Sequence, residues 1–353
     1  TDKNNSIAIF IHNYMPSIFI KIKENWTINN VENLKSRILG YLSKNAKISL
    51  IRGNLNIIQK KEFYGFNNNI YSKYLEIKVE SKSTLYELKK VLGDKTLFNG
   101  EYEFYDNDIQ FYESKVDPLL RFFHEMNINP CGWICINKFN THYPTETRCQ
   151  LEVVVDYKDI ISYESNMISR ALIASFDIEC TSEDDEFPKP SRPKDEVIQI
   201  GTTVYEYGTN KCVEKFIATI NKCLPINGVI VKSYKNEKCL ILGWAKYISQ
   251  LDPDVLTGYN IFGFDWEYLY ERAVYNNCEK DFLIILSRHT NKPAKYEKNK
   301  KLSSSALGDN ILNFVDIEGI VHFDLIMVVR RELKLDSYNL PVIEKIVKIK
   351  TVR

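Results

Sequence analysis

Apolar residues recur along this chain in two rhythms, and the rhythms divide it into two regions. In the first region short β-rich runs stand at Ile7–Ile11, Ile18–Ile22, Ile48–Ile51 and Tyr74–Val79. Helical spacing alternates with them. Val31, Leu34, Ile38 and Leu42 recur at intervals of three and four, which places them on one helix face. Leu85, Leu88 and Leu92 repeat the pattern. Val116, Leu119, Leu120 and Phe123 predict a further helix, with Pro118 tolerated in its first turn. Leu151–Val155 predicts a strand leading out of this α+β region. The mixed polar stretch from Tyr157 to Arg170 marks the expected boundary, giving domains over residues 1–165 and 166–353.

The second region opens on Ala171–Phe176, which has almost no polar side chains and reads as a buried strand. An acid- and proline-rich loop follows from Thr181 to Asp195. Val197–Tyr205 and Val213–Ile220 predict two more strands around a turn at Gly208-Thr209-Asn210. Leu240, Trp244, Ile248 and Leu251 share a helix face, and Pro253 ends that helix. Val255–Thr257 predicts a short strand, and a helix starts near Asp265. Three consecutive strands, then strand and helix in alternation, imply a mixed α/β sheet with helices packed on it. Such sheets hold ligands at the carboxyl ends of their strands.

Composition narrows the class. The chain has 353 residues, is 44% hydrophobic and 26% charged, and has room for about two globular domains. Its apolar runs are too short to span a bilayer, and the polar start Thr1-Asp2-Lys3-Asn4-Asn5 carries no secretory signal. The absent initiator Met points to a processed or cropped start. A formal net charge of +1 excludes affinity from a chain-wide basic field but leaves room for a local basic groove. The 8 cysteines are scattered, with no Cys-x-x-Cys, so reduced thiols in an intracellular protein are expected. The abundance of Asn, Ile, Lys and Tyr fits an AT-rich genome such as that of a large DNA virus.

Chemistry enters at Asp177 and Glu179, in the run Ala-Ser-Phe-Asp-Ile-Glu-Cys. Residues two apart on a strand point to one face, so two carboxylates are expected side by side at the end of a core strand. Like charges that close repel unless neutralised, and a hard divalent cation takes carboxylate oxygens. A second acid, Asp265, follows a strand and the loop Gly258-Tyr259-Asn260-Ile261-Phe262-Gly263-Phe264. Alone, Asp265 reads as a helix N-cap, and Asn260 as a turn residue. Together, acidic clusters at the ends of two strands of one sheet suit two-metal phosphoryl transfer, with Asp177, Glu179 and Asp265 as ligands.

These residues carry a family resemblance. Phe176-Asp177-Ile178-Glu179 resembles the first exonuclease motif of family B DNA polymerases, and Tyr259-Asn260 with Phe264-Asp265 resembles the second. The flanks Phe187-Pro188-Lys189-Pro190 and Val197-Ile198-Gln199-Ile200 are similar to those of delta-type members, and Asp252-Pro253-Asp254-Val255 leads into the second motif in the family's manner. Phe323-Asp324-Leu325 and Lys334-Leu335-Asp336-Ser337-Tyr338-Asn339-Leu340 are similar to the segment that follows the family's exonuclease hairpin. Upstream, Phe63-Tyr64-Gly65-Phe66, Tyr112-Glu113-Ser114, Gly132-Trp133 and Cys149-Gln150-Leu151-Glu152 resemble the N-terminal domain and the approach to the exonuclease core.

The resemblance implies a ribonuclease-H-like 3′→5′ exonuclease domain preceded by a mixed α+β N-terminal domain. It implies proofreading of mispaired primer 3′ ends with two Mg²⁺ or Mn²⁺ ions. Asp177, Glu179 and Asp265 carry over as metal ligands, and Asn260, Phe264 and Tyr259 as substrate contacts. Primer-template DNA and a single-stranded 3′ end are the implied partners, with a sliding clamp engaged through regions outside this chain and no membrane. The implied location is intracellular, at the site of replication in a nucleus or viral compartment. Ser303–Val315 is expected to supply the family's strand-separating hairpin, and Lys292–Lys301 reads as a lysine-rich loop able to touch the DNA backbone. Asp324 reads as a fold residue rather than a fourth ligand.

One departure is plain. The family's third motif, a Tyr followed four residues later by Asp, belongs after Leu340, and no such pair stands there. The chain is therefore expected to be the N-terminal part of a longer polymerase. The rival readings are a nuclease-inactive DNA-binding or scaffold module and a free-standing ribonuclease-H-like exonuclease.

Overall fold

The computed structural model describes residues 6–61, 68–94, 109–184, 186–209, 211–304, 308–333 and 335–347. The segment Phe63–Phe66, with Asn210, Lys334 and residues 348–353, lies outside these. The chain forms two compact units, one of residues 9–142 and 153–166, the other of residues 1–8, 143–152 and 167–353. Among the described residues no helix is long and apolar enough to cross a membrane.

The first stretch of chain contains β1 (Ile7–His12), β2 (Ser17–Lys21), α1 (Ile28–Tyr41), α2 (Lys44–Arg52), β3 (Asn54–Lys61), β4 (Tyr71–Lys78) and α3 (Lys82–Gly93). β5 (Phe111–Tyr112), α4 (Pro118–Glu125), β6 (Trp133–Ile136), β7 (Asn140–Thr141), β8 (Leu151–Asp156) and β9 (Ile160–Tyr163) follow. A four-stranded sheet in the order β3-β4-β2-β5 is the centre of this unit. Ile18, Ile20, Leu75 and Ile77 from its strands share one core with Leu34 and Ile38 of α1 and Leu88 of α3.

Two sequence expectations fail here. Ile48–Ile51 is helical, not β-rich. Ser43 caps α2 and the helix buries Ala46, Ser49 and Leu50, while Ile48 and Ile51 face solvent. The burial there follows a helical period, which outweighs the β-branched composition. In α4, Pro118 does sit in the first turn, but the buried residues are Arg121 and Phe122, with Leu119 and Leu120 exposed. Arg121 is buried because Glu113 meets its guanidinium at 2.6 Å.

The second unit is built from β10 (Leu172–Cys180), β11 (Val197–Glu206), β12 (Cys212–Ile220), β13 (Ile230–Tyr234), α5 (Glu237–Leu251), β14 (Val255–Gly258) and α6 (Asp265–Tyr275). It continues with α7 (Glu279–Leu286), β15 (Lys295–Ser304), β16 (Gly308–Asp316), β17 (Val321–Asp324), α8 (Leu325–Glu332) and α9 (Leu340–Val347). The sheet order is β13-β12-β11-β10-β14-β17, antiparallel through β12-β11-β10 and parallel at β12-β13, β10-β14 and β14-β17. Alternation along β10 buries Ala174, Phe176 and Ile178 in the core with Trp244 of α5 and Trp266 of α6. The Phe176 ring lies 5.0 Å from each tryptophan ring.

Three details differ from expectation. Asp177 and Glu179 lie inside β10, opposite Gly201 and Gln199, because the strand runs on to Cys180. β13 is an exposed edge strand with Ile230 half in solvent, so no apolar alternation announces it. The lysine-rich stretch from Lys295 is a strand, β15, paired with β16 rather than a loop. Tyr296 anchors it by stacking on Tyr270 at 3.8 Å.

β14 passes so close to β10 that Gly258 has no room for a side chain. A Cβ there would stand 2.5 Å from the Phe176 carbonyl oxygen and 2.4 Å from Ile261 Cγ2. Gly258→Ala is therefore expected to lower unfolding stability by about 1–3 kcal/mol. A urea midpoint equal to that of the unmodified chain would show that the two strands separate freely.

Candidate active site

The site grows from the end of β14. Asn260 takes a left-handed backbone, with φ of 63°, a conformation Asn tolerates better than most residues. Its carbonyl accepts from the Gly263 and Phe264 N–H groups, both at 3.0 Å, which folds the chain into α6. Asp324, at the end of β17, clamps this turn. Its Oδ1 accepts from Asn260 N at 2.8 Å and Ile326 N at 3.0 Å, and its Oδ2 accepts from Phe262 N at 2.9 Å. Burial raises the proton affinity of Asp324, and these N–H groups pull it back. The carboxylate caps α8 and holds the loop, which makes it a fold residue.

Asp265 is the first residue of α6, but it does not cap the helix; Phe264 occupies the cap position without a side-chain bond. The Asp265 side chain is 2% exposed and turns to β10, where its Oδ1 accepts from Ile178 N at 3.2 Å. That N–H lies next to Asp177, which brings the two carboxyls close enough for their charges to interact. Burial, then the Asp177 charge, pushes Asp265 up to about 7. Asp177 is also raised, by burial first and by the neighbouring Glu179 charge second.

Glu179, two residues beyond Asp177 on the same face of β10, is exposed like Asp177, and its charge raises Asp177. Among the described residues, no group of three or more His, Cys, Asp or Glu is arranged to hold a metal ion. The donor set of Asp177 and Asp265 nonetheless fits a hard cation. Both offer oxygen only, and each resists carrying its charge beside the other until a positive charge intervenes.

Aromatic side chains flank the pair. Phe264 is half-buried and meets the Phe187 ring edge-on at 5.1 Å, with Tyr268 also 5.1 Å away. Phe187 is 71% exposed, so this ring pair presents a face to solvent. Sequence reasoning treated Phe187 only as part of a flank; the signal was a single large apolar residue in an acid- and proline-rich loop. Trp266 is wholly buried and belongs to the core. The Tyr259 hydroxyl donates to the Tyr338 carbonyl, and Arg330 lies over the Tyr338 ring at 5.6 Å. Tyr259 thus ties β14 to the segment before α9. A cavity of about 930 Å³ adjoins Asp177, lined by Ile173 and Ser175 of β10, Ile217 of β12, Tyr259, Val328 of α8 and Ile343 of α9.

The β15–β16 hairpin is tied to the same loop through Asn313. Its N–H donates to Phe262 O at 3.1 Å, its Nδ2 donates to Glu267 at 2.9 Å, and its Oδ1 accepts from Asn299 N at 2.8 Å.

His322 of β17 lies behind the site, 5.7 Å from the Trp266 ring and 5.5 Å from Phe314. Neither ring nitrogen is accessible or hydrogen-bonded. Burial pushes its pKa from 6.5 down to about 4. The folded value lies below the unfolded one, so the unfolded chain binds the proton first. Stability is fully present above about pH 6.5 and falls as pH drops toward 4, by up to about 3 kcal/mol from this group. His322→Phe is expected to flatten that slope in urea titrations between pH 4 and 7; an unchanged slope would assign it to other groups.

Comparison with known proteins adds a lineage. Residues 109–343 match the family described as DNA polymerase family B, exonuclease domain. The chain is 28% identical over 474 residues to the DNA polymerase of Pyramimonas orientalis virus, covering 96% of this chain and 39% of that protein. It is 29% identical over 349 residues to the DNA polymerase delta catalytic subunit of Arabidopsis thaliana, covering 96% of this chain and 31% of that one. The chain thus spans well under half the length of these relatives. Among solved structures, the family B DNA polymerase from the hyperthermophilic archaeon Pyrobaculum calidifontis matches with a TM-score of 0.58 at 15% identity, over 96% of this chain and 35% of that one.

Proposed function

The chain belongs to the family B DNA polymerases, and on that premise we propose that it carries their proofreading 3′→5′ exonuclease, hydrolysing phosphodiester bonds at mispaired primer 3′ ends. DNA-directed synthesis by the whole protein belongs to the same proposal. The observation that carries the reading is the meeting of Asp177, exposed on β10, with the buried Asp265 at the start of α6, whose carboxyl accepts from the N–H of Ile178, the residue next to Asp177.

Asp177 and Asp265, with Glu179 alongside, would hold Mg²⁺ or Mn²⁺. When bound, such ions supply charge neutralisation and water activation for an in-line displacement at phosphorus. The residues themselves do the positioning. Asp324 fixes the loop from which Asp265 projects, and the Ile178 N–H fixes the Asp265 carboxyl. The exposed face of Phe187 on Phe264 suits stacking of an unpaired base, which is sequence-tolerant as proofreading requires. Tyr259 would act by bracing rather than by touching DNA, since its hydroxyl is engaged by Tyr338.

The alternative is a nuclease-silent DNA-binding role. It is favoured by the lack, among the described residues, of a group of three or more His, Cys, Asp or Glu arranged to hold a metal ion. A 5′-labelled single strand separates the two readings. Proofreading activity gives progressive shortening from the 3′ end that requires Mg²⁺ or Mn²⁺ and stops with EDTA. Binding without metal-dependent shortening would reject the nuclease reading for this chain.

A further inference from the structure

Helix α6 begins with Asp265, and one and two turns later the same helix carries two side chains that hold the loop between β10 and β11. Tyr268 is 2% exposed, and its hydroxyl donates to the Asp195 carbonyl at 2.9 Å. Arg272 is 0% exposed. Its Nη1 donates to the carbonyls of Pro190 at 3.0 Å and Arg192 at 2.8 Å. Its other face is a two-point pair with Glu237, Nε to Oε1 at 2.7 Å and Nη2 to Oε2 at 2.6 Å. Glu237 in turn accepts from Val197 N at 2.8 Å, where the loop enters β11.

The loop is also folded on itself. The Asp195 carboxylate, 0% exposed, accepts from Glu183 N at 2.9 Å and Lys189 N at 2.7 Å. Phe187 rides on this frame, between the two points that Asp195 binds, and reaches Phe264. A buried guanidinium with four of its five donors taken by a carboxylate and two carbonyls is a rigid fork.

We propose that Arg272 and Tyr268 are positioning residues for the DNA 3′ end. They lock the loop to α6, so that the Phe187 stacking face and the Asp265 carboxyl are set by one rigid helix. The idea rests on the exonuclease reading above and deepens it: it assigns terminal-base placement to groups that never touch DNA. Arg272→Lys keeps the charge but cannot span Glu237 and both carbonyls. Tyr268→Phe deletes a single hydroxyl and is the variant least able to disturb folding.

The test uses the chain and a single strand carrying 2-aminopurine at its 3′ end, whose fluorescence is quenched by stacking, with EDTA present to prevent digestion. Arg272→Lys and Tyr268→Phe are expected to weaken strand affinity by about tenfold, as loss of one stacked base would, and to reduce the quench at saturation. Phe187→Ala is expected to do the same, and adding Tyr268→Phe to Phe187→Ala is expected to weaken affinity no further. Amide exchange in residues 183–195 is expected to quicken in both positioning variants.

Quench and affinity that survive Tyr268→Phe and Arg272→Lys would overturn the proposal, as would additivity with Phe187→Ala. A wild-type chain that quenches but does not digest would remove the nuclease reading and leave the positioning role standing. A wild-type chain that digests but does not quench would overturn the positioning role and leave the nuclease reading standing.

Discussion

Asp265→Asn is expected to reduce metal-dependent 3′→5′ digestion of single-stranded DNA by about 10³-fold, the scale of several kcal/mol of lost charge stabilisation. The substitution is nearly isosteric. It leaves an amide oxygen for the Ile178 N–H, so the link between α6 and β10 persists. It also removes a carboxylate whose proton affinity burial and Asp177 have already raised to about 7. A group raised that far disfavours its charged form in the fold. The neutral amide therefore relieves repulsion at pH above the unfolded carboxyl value, and thermal stability at neutral pH is expected to hold or rise. The signature is thus a dead nuclease in an undamaged fold. Activity within tenfold of the unmodified chain, at saturating Mn²⁺, would take Asp265 out of the site.

Asp324→Ala is the second large effect, and its signature is the reverse. The carboxylate satisfies three backbone donors, Asn260 N, Phe262 N and Ile326 N. Alanine leaves all of them without an acceptor, one at the start of α8 and two in the turn that leads to Asp265. Hydrogen bonds to a charged acceptor are worth more than neutral ones, and unpaired buried donors carry a desolvation penalty. A loss of about 3 kcal/mol in urea unfolding is expected, with digestion falling in parallel because the turn no longer aims Asp265. A loss under about 1 kcal/mol would mean that water replaces the carboxylate and that the clamp is dispensable.

What the sequence made legible was local. The four-residue spacing of Leu240, Trp244 and Ile248 located α5, and the run before Asp177 with almost no polar side chains located β10. Both patterns report which side of an element meets a core, and burial enforces them. Where burial is decided by a distant partner, the pattern fails. Arg121 is inside α4's buried face because Glu113 neutralises it, so the exposed Leu119 and Leu120 mislead. Tyr296 secures β15 by stacking on Tyr270 of another element, so a lysine-rich strand passes for a loop. Ile48 and Ile51 carry strand-like chemistry on the outside of a helix.

The site divides in the same way. Asp177, Glu179 and Asp265 stood out because acidic residues beside buried strands are chemically conspicuous. The pairing of Arg272 with Glu237 links residues 35 positions apart and leaves no trace in either neighbourhood. Phe187 was conspicuous only once Phe264 was seen beneath it.

The bond from the Ile178 N–H to Asp265 has one more consequence. It ties the helix-borne carboxyl to the peptide unit adjoining its strand-borne neighbour. The gap between the two acids is then gauged against main chain, not against the torsions of two independent side chains. Warming loosens surface loops first, because they open at low free energy, whereas central strands open only with the whole domain. The spacing of the two acids should accordingly survive until the sheet itself melts, so that the temperature at which the pair comes apart and the melting temperature of the unit coincide.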